Sequence, residues 1–219
     1  DDFHDGPPGP ERREAERGLE EWLRRLGEMA SFELSVVRTD ASLLYEDLVG
    51  WSATGWAAAT VAAGLAIGSR FSDLSLGSDG HAANPTPHAS HPMLDDRFSS
   101  ASVRVRSGQP FLTRLEKVGI LAGWEASWPF LRPCRRLERS PSGPGNCGRC
   151  EKCVRTMLEL LAWGVLDRVE AFPERDVRPE HVHGLRSVRG RPIGYYGEPL
   201  RTALLARGRS DLVRALDAR

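Results

Sequence analysis

The spacing of the four cysteines constrains the fold more than any other feature of this 219-residue sequence. They follow the pattern Cys134-x12-Cys147-x2-Cys150-x2-Cys153, so all four fall within twenty residues. Zn²⁺ prefers four soft ligands in a tetrahedron. A tight turn through Gly148 would present three thiolates to one ion, and Cys134 would close the shell from a preceding loop. The spacing therefore predicts a closed structural zinc site; iron–sulfur ligation, a redox-active Cys-x2-Cys pair and free cysteines are the alternatives.

Charge and composition narrow the class of protein. Thirty basic side chains balance thirty acidic ones, which argues against a dedicated nucleic-acid-binding or membrane-surface protein, because such proteins depend on a basic excess. A chain of this length buries enough surface to fold without disulfides, which again favours a metal site. The uncharged stretch from Leu48 to Ser69 is rich in glycine and alanine and too weakly apolar for a membrane span. It predicts a buried helix packed closely on a sheet, and we expect a cytoplasmic protein.

Hydrophobic periodicity switches repeatedly between helix and strand along the chain. Helical spacing predicts helices over residues 11–30, 51–68, 113–122, 151–163, 199–206 and 210–218. Apolar alternation with β-branched residues predicts strands over residues 32–39, 74–76 and 102–106. This order of elements favours the α/β class with a mainly parallel sheet.

A polar loop over residues 77–92 follows the second predicted strand and carries His81, His88 and His91. Loops after the strands of an α/β protein are where ligands bind. The three histidines are either solvated or ligands of a metal, and His91 is a candidate for contact with a substrate or nucleotide. Asp95, just beyond the loop, is either a group that holds magnesium or substrate or a solvated turn residue.

Two segments carry a resemblance to a known family. The run Asn146-Cys-Gly-Arg-Cys-Glu-Lys-Cys-Val-Arg-Thr-Met157 resembles the zinc segment of the 7-cyano-7-deazaguanine synthases, which belong to the PP-loop ATP pyrophosphatases, or adenine nucleotide alpha hydrolase-like proteins. The helix start Thr113-Arg-Leu-Glu-Lys-Val118 is similar to the Lys-bearing helix of that family. Ser90-His91-Pro92, with Asp95 and the pair Ser99-Ser100, is similar to a less characterised branch of the superfamily. The resemblance covers residues 1–167.

The resemblance implies a doubly wound, mainly parallel sheet with a C-terminal helical zinc-binding segment. It divides the chain into a partial nucleotide-binding α/β domain (1–122), a zinc-binding loop and helix (123–167), and an Arg- and Pro-rich linker with short helices (168–219). The implied activity uses ATP and Mg²⁺ to adenylate a carbonyl or carboxylate oxygen of a small-molecule substrate for nitrogen or sulfur attack. The implied catalytic residues are Lys117 and Asp95, and the implied substrate- or nucleotide-binding residues are Ser90, His91, Ser99, Arg114 and Glu116.

The lysine usage supports a role for Lys117. Arginine outnumbers lysine 28 to 2, and the second lysine is Lys152. A lysine retained in such a chain indicates a site that needs a compact ammonium, for which arginine is a poor substitute. The alternative is that Arg114, Glu116 and Lys117 form an exposed helix face.

The sequence departs from the family in one defining feature. It contains no Ser-Gly-Gly-x-Asp-Ser loop, the motif that cradles the pyrophosphate of ATP on backbone amides. We expect this loop and its strand to precede Asp1, residues 1–219 alone to be inactive, and the incomplete sheet to allow association into oligomers. The alternative function is a zinc-stapled binding module for a protein or nucleic-acid partner, without catalysis.

Overall fold

The computed structural model describes residues 10–41, 55–78, 81–83, 89–134, 145–184 and 197–218. The α-helices are α1 (Pro10–Ala30), α2 (Trp56–Ala66), α3 (Arg114–Ala122), α4 (Glu151–Trp163), α5 (Pro179–His183), α6 (Glu198–Ala206) and α7 (Ser210–Asp217). The strands are β1 (Asp73–Gly77) and β2 (Arg104–Gly108). Inter-residue contacts group the described residues into two compact units, a sheet unit (35–113) and a helical unit (10–34 and 114–218).

The sheet unit is built on two parallel strands. β1 and β2 pair in register from Asp73 opposite Arg104 to Gly77 opposite Gly108. The α/β class with parallel strands is thus confirmed at the level of a mixed protein with a two-stranded sheet, whereas a larger doubly wound sheet is not present among the described residues.

Helix α2 packs on this sheet through small side chains. A Cβ atom at Gly64 would lie only 2.8 Å from Cδ2 of Leu74 on β1, so glycine allows the close approach. The hydrophobic core cluster of the unit is formed by the buried side chains of Ala57, Val61, Leu76, Ala89 and Val105. The predicted small-residue helix is confirmed over residues 56–66, and residues 48–54 of the uncharged stretch lie outside the described residues. None of the helices in the described part of the chain has the length and hydrophobicity needed to cross a membrane.

The predicted strand over residues 32–39 is wrong. These residues form no regular secondary structure, and Phe32, Val36 and Val37 are exposed. A segment with apolar alternation forms a strand only when a neighbouring strand and a core face are available. The reason is that β-propensity mainly measures packing on a half-buried pleated surface. The other predicted helices and strands in the described residues are present, with ends shifted by one or two residues for most of them.

The helical unit has α4 at its centre. Every residue from Cys153 to Leu160 is buried. Helices α6 and α7 belong to this same core, to which they contribute Leu200, Leu204, Leu212, Ala215 and Leu216. Arg207 also donates hydrogen bonds to the carbonyls of Ala162 and Trp163 at the end of α4, at 3.2 and 3.0 Å. The two short helices that were expected to follow a linker therefore pack in the core of the helical unit.

Helix α1 joins the helical unit from the other end of the sequence. Trp22 on α1 lies against Phe130, with ring centroids 5.8 Å apart. The contacts therefore group the described residues differently from the domain division at residues 122 and 167 that the resemblance implied. The physical reason is that an amphipathic helix buries its apolar face wherever a complementary face is available, regardless of its distance along the chain.

The packing of α7 into the core leads to the first prediction. We expect Leu212→Ala to lower the free energy of unfolding by about 2–5 kcal/mol, because it opens a cavity around a side chain that is 0% exposed. Leu205→Ala on α6 is the matched control, since Leu205 is 52% exposed and should change stability by less than about 0.5 kcal/mol. Urea unfolding measures both. Equal effects of the two substitutions would contradict the packing.

Candidate metal centre

The four cysteines come from two segments that meet at the start of α4. Cys134 lies shortly after the 3₁₀ turn Glu125–Phe130, while the other three lie on the turn leading into α4 and in its first turn. Gly148 has a left-handed φ of 68°, and a Cβ atom there would lie 2.9 Å from Cγ of Pro173, so both conformation and space require glycine. The backbone N–H of Cys150 donates to Sγ of Cys147 at 3.3 Å, which closes the turn.

The geometry of the sulfur atoms fits a tetrahedral ion. All four Sγ atoms lie within 4.8 Å of one another. The Cys147–Cys153 and Cys150–Cys134 sulfur pairs are each 3.9 Å apart. A tetrahedron with metal–sulfur distances of about 2.3 Å has sulfur–sulfur edges of about 3.8 Å. The prediction that these cysteines converge is confirmed, and they form a cluster that could bind a metal such as zinc.

Burial opposes the ionisation of two of the four thiols. Burial raises the pKa of Cys147, but hydrogen bonds from the backbone of Arg149 and Cys150 outweigh it and bring that pKa down to about 6. Burial raises the pKa of Cys150 and of Cys153. The buried thiols resist ionisation because their negative charges would lie close together in a poorly solvated site. A divalent cation bound to the four sulfur atoms would offset these charges, because metal ligation deprotonates coordinating thiols.

Arg114, predicted to bind substrate or nucleotide, lies in an ion pair inside the helical unit. Its Nε is 3.1 Å from Oε1 of Glu159 on α4, and its Nη2 donates to Oγ1 of Thr156 at 2.7 Å. Glu159 is 1% exposed. Burial raises the pKa of Glu159 to about 7, although the positive charges of Arg114 and Arg155 act in the opposite direction. This ion pair between a partly exposed arginine and a buried carboxylate joins α3 to α4. The sequence contained no signal that singled out Glu159.

Glu116 and Lys117 lie on the same helix as Arg114. Glu116 is exposed and Lys117 is half-buried. Both side chains interact with other groups of the protein. Their predicted roles toward a nucleotide remain predictions.

Asp95 holds together the loop that contains the predicted ligand-binding residues. It is 0% exposed, and so it is not a solvated turn residue. Its Oδ2 accepts a hydrogen bond from Oγ of Ser90 at 3.0 Å, and its Oδ1 accepts one from the backbone N–H of His91 at 3.0 Å. Ser107 on β2 also donates its hydroxyl to Asp95. The carboxylate therefore ties the Ser90–His91 loop to the carboxyl end of β2.

Ser99 precedes β2, and its side chain hydrogen-bonds to the backbone of that strand. Its Oγ accepts the backbone N–H of Val105 at 2.9 Å, so the side chain continues the hydrogen bonding of β2. Ser90 and Ser99 each make a hydrogen bond within the sheet unit, and their predicted roles as ligand contacts remain predictions.

The described histidines do not form a metal cluster. His81 accepts the N–H of Ala83 at Nδ1, at 3.0 Å, and its Nε2 lies 2.9 Å from the carbonyl oxygen of Phe111. His91 accepts the N–H of Met93 at Nδ1, at 3.1 Å, so its Nε2 carries the proton and is a donor. His88 lies outside the described residues. Within the described ranges, the four cysteines are the one group of three or more potential ligands that converge.

The fold and the site together define a mixed helical protein with a small parallel sheet and a four-cysteine cluster that could bind a metal. Comparison of the sequence and structure with protein-family models, curated proteins and solved structures returned no match.

The buried carboxylate leads to the second prediction, which concerns pH. Glu159 has a pKa of about 7 in the folded protein, whereas an unfolded glutamate titrates near about 4.3. Between these values the folded state binds more protons, so the free energy of unfolding falls as pH rises through this range, by up to about 4 kcal/mol. Glu159→Gln should remove this part of the pH dependence. Urea unfolding of both proteins between about pH 4 and pH 8 measures the difference, and parallel curves would contradict the assignment.

Proposed function

We propose that Cys134, Cys147, Cys150 and Cys153 bind one zinc ion in a closed structural site. The observation that carries this proposal is the convergence of four Sγ atoms within 4.8 Å from two segments of the chain. Four thiolates leave no open coordination position, so the ion would act in folding and not in chemistry. It would clamp the segment that carries Cys134 to the start of α4, and its binding free energy would contribute to the folding free energy.

We further propose that the protein is part of an ATP-dependent enzyme similar to the PP-loop ATP pyrophosphatases and the 7-cyano-7-deazaguanine synthases. Such an enzyme adenylates a carbonyl or carboxylate oxygen of a small molecule, with Mg²⁺ balancing the phosphate charge. The parallel pairing of β1 with β2 supports this proposal, because ligands of α/β proteins bind beyond the carboxyl ends of parallel strands. A larger doubly wound sheet around this pair is part of the proposal.

The Ser90–His91 loop supplies the candidate ligand contact in this enzyme. The bond from Ser107 to Asp95 holds the loop at the carboxyl end of β2. The N–H of Met93 fixes the tautomer in which Nε2 of His91 is a donor, and a donor suits a phosphate or carbonyl oxygen. In this proposal Asp95 acts by positioning Ser90 and His91, since three intramolecular donors already occupy its carboxylate.

The second candidate function is a zinc-stapled binding module that recognises a protein or nucleic acid without catalysis. The observation that favours it is the lack of a Ser-Gly-Gly-x-Asp-Ser loop in residues 1–219. The two candidates share the zinc site and differ in ATP-dependent turnover, which separates them experimentally.

The third prediction tests the zinc site. Protein purified without chelators should contain one zinc per chain by elemental analysis, and Cys150→Ser should lose the metal and loosen the start of α4. Leu205→Ala is the control and should retain zinc, because this exposed side chain lies on α6. Less than half an equivalent of zinc, with no iron, would defeat the proposal. Stoichiometric iron with visible absorption would instead identify an iron–sulfur site.

The fourth prediction tests the enzyme. In a chain that also carries an upstream Ser-Gly-Gly-x-Asp-Ser loop, Lys117→Ala should lower the release of AMP and pyrophosphate at least about tenfold, because a charge-assisted bond to phosphate contributes about 1.5–3 kcal/mol. Lys117→Arg should not restore turnover if the site needs a compact ammonium. Zinc content should be the same in all three proteins. Normal turnover by Lys117→Ala would assign this lysine to the surface of α3.

Residues 1–219 alone provide the complementary measurement. They should release no AMP from ATP and Mg²⁺, because no glycine-rich strand–loop–helix in this sequence offers converging amides to the pyrophosphate. Saturable AMP formation by these residues would show that the nucleotide site is elsewhere in the chain.

A further inference from the structure

We infer that Asn146 is a positioning residue of the metal centre, which sets Cys134 against the Cys147–Cys150–Cys153 turn. This inference rests on the proposed zinc site. It concerns how the backbone segments that carry the cysteines are held in position, and it assigns a role to a residue that would not itself bind the metal.

The Asn146 side chain uses its hydrogen-bonding groups to join three segments. It is only 8% exposed. Its Nδ2 donates to the carbonyls of Leu131 and Ala171, both at 2.8 Å. Its Oδ1 accepts the backbone N–H of Cys134 at 3.3 Å. One amide therefore binds both ends of the short segment that delivers Cys134, and it also binds the segment that lies behind Gly148.

The need for such a bridge follows from the spacing of the cysteines. Three of them are held together by a turn of only seven residues, whereas twelve residues separate Cys134 from Cys147. A long connection has a high entropy, so it does little to fix its two ends against each other. Asn146 adjoins Cys147 in sequence and hydrogen-bonds to the backbone of Cys134, so it replaces the long connection with a direct link.

The chemistry of the side chain explains why asparagine occupies this position. Two carbonyl oxygens require two N–H donors, and the N–H of Cys134 requires an acceptor. A short primary amide offers both. Aspartate has the same shape but, when ionised, only accepts hydrogen bonds, so it would face the carbonyls of Leu131 and Ala171 without a donor. Asn146→Asp therefore separates hydrogen bonding from simple filling of space.

The experiment uses Co²⁺ and Zn²⁺ as probes of the full 219-residue chain. Tetrahedral Co²⁺ with thiolate ligands absorbs in the near ultraviolet with an intensity that grows with the number of cobalt–sulfur bonds. We expect Asn146→Asp to give the reduced intensity of Cys134→Ser, a three-thiolate site, and to weaken Zn²⁺ affinity about 10–100-fold in chelator competition. Asn146→Ala removes the same bonds without adding charge, and it should give the same three-thiolate spectrum. It therefore tests the inference even if the aspartate variant fails to fold.

Two further variants separate positioning from general stability. Val182→Ala truncates a fully buried side chain on α5 that takes no part in the Asn146 hydrogen bonds, and it should lower stability while leaving the four-thiolate Co²⁺ spectrum intact. In the Cys134→Ser background, Asn146→Asp should cause no additional loss of metal affinity, because the residue acts through Cys134.

The outcomes are distinct. A four-thiolate spectrum with unchanged Zn²⁺ affinity in Asn146→Asp and Asn146→Ala would overturn the inference and leave the zinc site standing. Additive losses in the double variant would also overturn it. Failure of the unsubstituted chain to bind either metal would remove the zinc site itself, and the inference with it.

Discussion

The burial of helix α4 is the constraint on which the helical unit depends, and four sulfur atoms converge at the start of this helix. Helix α4 is buried along almost its whole length, so its position sets the positions of the helices around it. The cysteine turn, the Cys134 segment and the 171–173 segment all meet at its first turn. A closed metal site there would fix the end of the central helix with energy that the short segments could not supply by packing alone.

Polar groups inside this core give the helical unit specific contacts. Glu159 and Thr156 face α3 from α4, and Arg114 engages both. A buried carboxylate that has lost its hydration requires a paired charge, and removing one partner would leave the other uncompensated. The arginine that was predicted to bind substrate or nucleotide thus holds two helices together. In the sheet unit, Asp95 has an equivalent role, since it fixes the loop that presents His91.

Much of this arrangement was accessible from the sequence, and the failures have physical causes. Periodicity predicted α4 to the residue, because a helix with a strong apolar stripe between a tight turn and a glycine has few alternatives. The same method was wrong for residues 32–39, where alternation met no partner strand. The domain division set the predicted helices over residues 199–206 and 210–218 apart from the zinc-binding segment, although they pack in the same core, because an apolar face in a sequence does not reveal which surface it will cover.

The sequence by itself determined the convergence of Cys147, Cys150 and Cys153, because thiols spaced by two residues on a glycine turn meet through local geometry alone. It also determined the parallel strands β1 and β2, whose short apolar runs are separated by a long crossover. Only the tertiary structure decided that Arg114 pairs with Glu159, that Asp95 is buried, and that Asn146 links Cys134 to the turn. These contacts depend on which groups the tertiary structure buries together. Buried polar groups need hydrogen-bond partners, and no local sequence pattern specifies those partners.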